Sequence, residues 1–103
     1  MYTVSRVIVG FGNQETEDIW AGDDTKAARS VLPRDLWPNA CLLLDQLDAA
    51  TVIGDMALPP SNRLHKLKGK LKGHWSVSIN MKYRIVFEFE SGQANDVAIV
   101  DYH

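Results

Sequence analysis

Cysteine is nearly absent from this chain: Cys41 is the one thiol in 103 residues, which excludes an internal disulfide and any metal site built on several cysteines. That usage fits a reducing compartment, and the cytoplasm is the expected location. Long apolar runs are missing as well. No stretch approaches the roughly 18 residues that cross a bilayer, and the opening Met1-Tyr2-Thr3-Val4-Ser5-Arg6 has none of the regions of a secretion signal, so no membrane partner is expected. Repeats, low-complexity tracts and linkers are lacking, and the length suits a single domain over residues 1–103. Apolar residues at 46% and charged residues at 23% place that domain among folded globular proteins.

Two further absences concern charge of one sign. Residues 56–87 contain no Asp or Glu but hold Arg63, Lys66, Lys68, Lys70, Lys72, Lys82 and Arg84, a net of +7. Residues 88–103 contain four acids and no Lys or Arg, a net of −4, while residues 1–55 set four basic against nine acidic side chains, a net of −5. The formal total of −2 therefore conceals a cationic segment between two acidic ones. Cations concentrated on one surface attract phosphates, so the segment reads as a polyanion site. A solvated, lysine-rich loop is the alternative.

The hydrophobic pattern predicts an α+β domain. Residues 3–11 alternate loosely, with Val7, Val9 and Phe11 on one face, and suit a first strand. Asn13 is placed to cap a short helix with Glu15, Glu17 and Asp18 in its first turn and Gly22 past its end. A second short helix is expected from about Thr25 to Leu32, stopped by Pro33. The longest helix is expected at about 35–50, capped by Asp35, with Pro38 in its first turn and Ala40, Leu43, Leu44 and Leu47 on one stripe. After Gly73 the period changes to two. Trp75, Val77 and Ile79 alternate with polar residues, as do Tyr83, Ile85, Phe87 and Phe89, and Val97 and Ile99 follow the turn signal Ser91-Gly92-Gln93. A three-residue loop at Asn80-Met81-Lys82 pairs Ile79 with Tyr83, Val77 with Ile85 and Trp75 with Phe87, which puts every apolar residue on one face. The same logic at 91–93 pairs Phe87 with Val97 and Ile85 with Ile99. The helices should cover the apolar face. Ser76, Ser78, Arg84 and Tyr102 fall on the other, left open for a ligand.

The chemistry-bearing residues are few. No pair among His65, His74 and His103 has the spacing of a zinc motif, and Glu88, Glu90 and Asp96 read as solvated surface at a hairpin, so no metal is expected. Gly10-Phe11-Gly12 begins a dinucleotide fingerprint, but Glu15 stands where its third glycine belongs. Cys41 sits within the main helix and is expected to pack. What remains is histidine, tyrosine and carboxylate near arginines and lysines, a set that suits RNA cleavage without metal. There a ribose 2′-OH attacks the adjacent phosphate, and the enzyme supplies a base, an acid and cations for the phosphate oxygens.

Four ordered blocks carry a resemblance. They are Pro59-Pro60-Ser61-Asn62-Arg63-Leu64-His65-Lys66-Leu67-Lys68-Gly69, Gly73-His74-Trp75-Ser76-Val77-Ser78-Ile79-Asn80, Tyr83-Arg84-Ile85-Val86-Phe87 and Asp101-Tyr102-His103. Together they resemble the HigB toxins of the RelE superfamily, the type II toxin–antitoxin proteins also called plasmid maintenance system killer proteins. The resemblance is strong over about 56–103 and weaker through Glu15-Thr16-Glu17-Asp18-Ile19-Trp20 to Gly22. It implies a RelE-like fold, with an N-terminal strand and helices packed on one face of a twisted, mostly antiparallel sheet. It implies metal-independent, cofactor-free cleavage of mRNA in the ribosomal A site. The implied partner is a HigA-type antitoxin with a helix-turn-helix domain, operator DNA being reached only through the toxin–antitoxin complex. By matching motif, the cutting residues are His65, Lys68, Arg84, Asp101, Tyr102 and His103. Arg84 and Lys68 would hold the phosphate, His65 and His103 would move protons, Asp101 would orient His103, and Tyr102 would position a base. Arg63, Lys66, Lys70, Lys72 and Lys82 would line the RNA path.

The chain departs from that pattern in a longer N-terminus, an expanded stretch at 23–39, and a main helix with Asp45 and Asp48 but no Lys or Arg. The last of these weakens any expectation that the helix grips ribosomal RNA. A different class also fits the residues: a non-catalytic basic module that acts by occupying RNA or a partner.

Overall fold

Asn13 starts the helical half of the chain. In the computed structural model, which describes residues 6–101, its side-chain Oδ1 accepts from the Thr16 backbone N–H at 2.9 Å and opens helix α1, Gln14–Ala21. Glu15 and Glu17 occupy the first turn, and Gly22 closes the helix at φ 81, a left-handed conformation that costs glycine little. Thr25 repeats the device for α2, Lys26–Val31, which ends at Leu32 before Pro33. The Asn13 cap stands where the sequence puts it, and α2 lies within the stretch expected for the second helix.

The main helix, α3, runs Trp37–Asp48 and buries Ala40, Leu43, Leu44 and Leu47 as their spacing requires. Asp35 is not its cap. It lies inside a tight turn, Arg34–Leu36, that runs straight into the helix, so the Arg34 carbonyl receives the Trp37 N–H in place of a capping side chain.

The sheet has four antiparallel strands in the order of the chain: β1 His65–Lys66, β2 His74–Ser78, β3 Tyr83–Glu90 and β4 Gln93–Asp101. The first hairpin has the expected register, Trp75 opposite Phe87 and Val77 opposite Ile85. Asn80 shapes the turn, because its side chain accepts from the backbone N–H groups of both Lys82 and Tyr83 at 2.8 Å.

The second hairpin differs from expectation. Glu90 pairs with Gln93 across a two-residue turn, Ser91-Gly92, with both residues at positive φ (53 and 75). Continued unchanged, that register would set Ile85 against Ala98. A bulge corrects it: the register shifts between Val86 and Glu88, Asp96 takes up φ 53, and Ile85 then faces Ile99. The expected Ile85–Ile99 pairing is therefore reached through a bulge and not through a three-residue loop.

Among the described residues, the N-terminal segment is an edge attachment and not a regular strand. Ile8 and Phe11 form isolated parallel bridges to Ala94 and Val97, tied by hydrogen bonds such as Val9 N–H to the Ala94 carbonyl at 2.8 Å. Ile8 is the buried residue while Val9 is half-exposed, the reverse of the expected alternation. Asp48 Oδ1 on α3 accepts from the Val7 and Ile8 N–H groups at 3.0 Å each, which ties the backbone to the helix where Ile8 enters the core.

Helices and sheet share one core. Ile19 and Leu44 from the helices meet Val77, Ile85, Phe87 and Val97 from the sheet. Thr16 is fully buried within it, its Oγ1 donating to Asn13 Oδ1 at 2.7 Å and accepting from the Ile99 N–H at 2.9 Å. One hydroxyl thus joins the start of α1 to β4.

Candidate active-site cleft

Alternation along the strands decides what gathers on the side of the sheet away from the helices. His65 lies opposite Ser76, Ser76 opposite Val86, and Arg84 opposite both Ser78 and Val100. Directly opposite residues share a face, so His65, Ser76, Arg84, Val86 and Val100 stand together. This face is less open than the sequence suggests. Ser76 and Val86 are buried and Arg84 is only 9% exposed. Beyond β1 the basic segment turns back through Gly69–Leu71, and a cleft of about 600 Å³ is lined by His65, Lys66, Leu67, Lys68, Leu71, Val86, Val100 and Asp101.

At one side of the cleft is a buried polar group. Arg84 Nη1 donates to Ser76 Oγ at 2.6 Å and stands 3.4 Å from His65 Nδ1. His65 Nδ1 is also 3.2 Å from the Arg63 carbonyl. A guanidinium only donates and a carbonyl only accepts, so Nδ1 carries a proton for Arg63 or a lone pair for Arg84, never both. In the neutral ring the first tautomer leaves Nε2 as a base and the second leaves it as a hydrogen-bond donor.

The remaining expected site residues divide. Lys68 lines the cleft. Asp101 also lines it, and its Oδ2 forms an ion pair with Lys82 Nζ at 3.8 Å. Lys66 is set opposite Trp75, with its ammonium 5.7 Å from the indole centre, so its charge sits on the Trp75 side of the sheet. Arg63, Lys70 and Lys72 are exposed on the same segment. Lys82 stands at the far hairpin, 5.4 Å from the Tyr83 ring. Tyr102 and His103 lie outside the described residues. Ser76 was placed on this face by the sequence but given no role; strand pairing with His65 and Val86 on either side is what makes it the partner of Arg84.

Cys41 packs as expected. It is partly buried on α3 and its thiol donates to the Ile19 carbonyl at 3.4 Å. Burial, with the nearby Asp45 carboxylate, pushes the thiol above its ordinary range, which disfavours the nucleophilic thiolate.

Residues 9–103 match the family described as RelE-like toxins of the type II toxin–antitoxin system HigB. The chain belongs to the HigB-like toxin family. Among relatives of this HigB-like chain is Toxin HigB-1 of Vibrio cholerae serotype O1, 43% identical over 83 residues that span 78% of this chain and 86% of the relative. Another is the Endoribonuclease HigB of Proteus vulgaris, 38% identical over 60 residues, or 58% of this chain and 64% of that protein. In three dimensions the fold resembles a chain of the YoeB–YefM complex from Staphylococcus aureus, with a TM-score of 0.59 over 93% of this chain and 94% of that one. At 21% identity that likeness speaks for the fold, which is the RelE-like α+β arrangement of helices on one face of an antiparallel sheet. No described helix is long and apolar enough to cross a membrane.

Proposed function

We propose that this HigB-like toxin is an endoribonuclease that cuts mRNA on the ribosome and thereby stops translation. The observation that carries the reading is the cationic cleft with His65 held beside the buried Arg84–Ser76 pair, in a chain of this family whose relative from Proteus vulgaris is named an endoribonuclease.

The chemistry follows from the residues. RNA carries its own nucleophile, the 2′-OH, so the protein needs only to move protons and to stabilise charge. His65 has a ring nitrogen whose role is set by the choice between Arg63 and Arg84. His103 is the complementary acid or base, and Asp101 its orienting carboxylate. Lys68 meets the phosphate oxygens, and Arg84 supplies a fixed positive charge behind His65. Tyr102 positions a base by stacking, as suits single-stranded RNA. Lys70, Lys72 and Arg63 extend the cationic path, with Lys66 and Lys82 at its margins. No step calls on a metal. The fold likeness is to a chain of a complex, and for this chain the partner would be a HigA-type helix-turn-helix antitoxin, with operator DNA reached through that complex in the cytoplasm.

The test is cleavage of a labelled mRNA by the purified chain, with and without translating ribosomes and with EDTA present throughout. Cutting only with ribosomes is the expected result. Cutting of free RNA would make it a general ribonuclease. Growth inhibition that survives both His103→Gln and deletion of Tyr102-His103 would instead establish a non-catalytic binding module.

A further inference from the structure

We infer a second site, outside the cleft: a centre for a transition-metal cation of the zinc class formed by His74, Glu88 and Asp96. The sequence offered no zinc spacing because the three residues come from three strands. His74 on β2 is directly opposite Glu88 on β3, and the β4 bulge brings in Asp96 at φ 53. His74 Nε2 lies 2.9 Å from Asp96 Oδ2 and 3.8 Å from Glu88 Oε1. One donor atom from each residue falls within 4.8 Å of the other two.

Zinc bound to nitrogen and oxygen at about 2.0–2.2 Å in a tetrahedron sets its donors roughly 3.3–3.6 Å apart. The nitrogen–oxygen separations already straddle that spacing. The remaining closure falls to two carboxylates whose side chains are 47% and 51% exposed and rotate at little cost. The imidazole is fixed, with its side chain only 13% exposed and the Nε2 edge turned to both acids. Gly12 leaves room for the Asp96 carboxylate, since a Cβ there would lie 2.8 Å from its Oδ1. The donor set excludes magnesium, which prefers oxygen donors and retained water, and suits zinc, cobalt or manganese. Three protein donors leave a fourth position for water or an anion. His74 Nδ1 is buried and has no hydrogen-bond partner among the described residues, so the orienting bond usual at ligating histidines is missing. Affinity should therefore be moderate.

Titration of the full chain with ZnCl2 by calorimetry, and with Co2+ by visible absorption, tests the site. One equivalent should bind, and zinc should raise the melting temperature of the wild type. Loss of even an outer partner weakens metal sites by about 10–100-fold, so His74→Gln, Glu88→Gln and Asp96→Asn should each weaken binding at least about tenfold. His65→Gln, in the cleft, should leave zinc affinity unchanged. If His74→Gln does not fold, the two exposed carboxylate variants decide the matter. Absence of binding, or affinity unaltered by Glu88→Gln and Asp96→Asn, or lost equally in His65→Gln, would overturn the assignment. Because the readout is binding, it is independent of whether the cleft cuts RNA.

Discussion

Arg84 and Ser76 form a buried pair across β2 and β3, with Nη1 2.6 Å from Oγ, and that pair stands directly behind His65. A hydrogen bond to a charged group contributes about 1.5–3 kcal/mol. Ser76→Ala should lower stability by that amount in urea denaturation and also slow RNA cleavage, because the guanidinium beside His65 loses one of the bonds that hold it. Unchanged stability would mean that another partner holds Arg84 equally well.

His65 should matter to chemistry more than to binding. A general acid or base contributes about 10²–10⁴-fold, so His65→Gln should reduce the cleavage rate within that range. RNA affinity, measured on the same variant by filter binding, should change only a few-fold. Comparable losses in both would make His65 a binding residue.

Lys70 and Lys72 are exposed on the cationic segment and should act through phosphate contacts. For single strands the logarithm of affinity falls with the logarithm of salt by about 0.7 per contact. The double variant Lys70→Ala, Lys72→Ala should therefore flatten the slope by about 1.4. An unaltered slope would place the RNA path elsewhere.

Thr16 ties α1 to β4 through its buried hydroxyl. Thr16→Val keeps the shape but leaves the Ile99 N–H without its acceptor, while Asn13 Oδ1 loses the hydroxyl and keeps the Thr16 N–H. An unpaired buried polar group costs about 1–3 kcal/mol, and thermal unfolding should report a loss of that size. Hydrogen exchange at Ile99 should speed up as well.

Cys41 provides a pH test. Its thiol is pushed up by burial and by Asp45, so at pH 8 it should label more slowly with a disulfide reagent than a free cysteine, and the rate should climb only above the ordinary thiol range. The raised value also means that its contribution to stability is complete below the unfolded thiol's titration and is lost as the pH rises through the folded one. Rapid labelling at pH 7 would contradict the packed position.

Much of this protein was determined by local sequence. Asn13, Thr25 and Gly22 set helix boundaries because capping uses only neighbouring atoms, and the period-two pattern around Val77 and Ile85 fixed the first hairpin because one slipped residue would expose the apolar face. The four family blocks pointed to the HigB-like toxins. Other features were decided by tertiary structure. The Ser91-Gly92 turn and the Asp96 bulge compensate each other, so neither can be read without the partner strand. Asp48, far along the chain, holds the backbone of Val7 and Ile8 where Ile8 and not Val9 is buried. Arg84 meets Ser76 and His65 only because β1, β2 and β3 pair side by side. His74, Glu88 and Asp96 meet only because three strands are aligned by packing elsewhere. Spacing along a chain records contacts within one helix or hairpin, whereas contacts between elements depend on how their apolar faces close on one another.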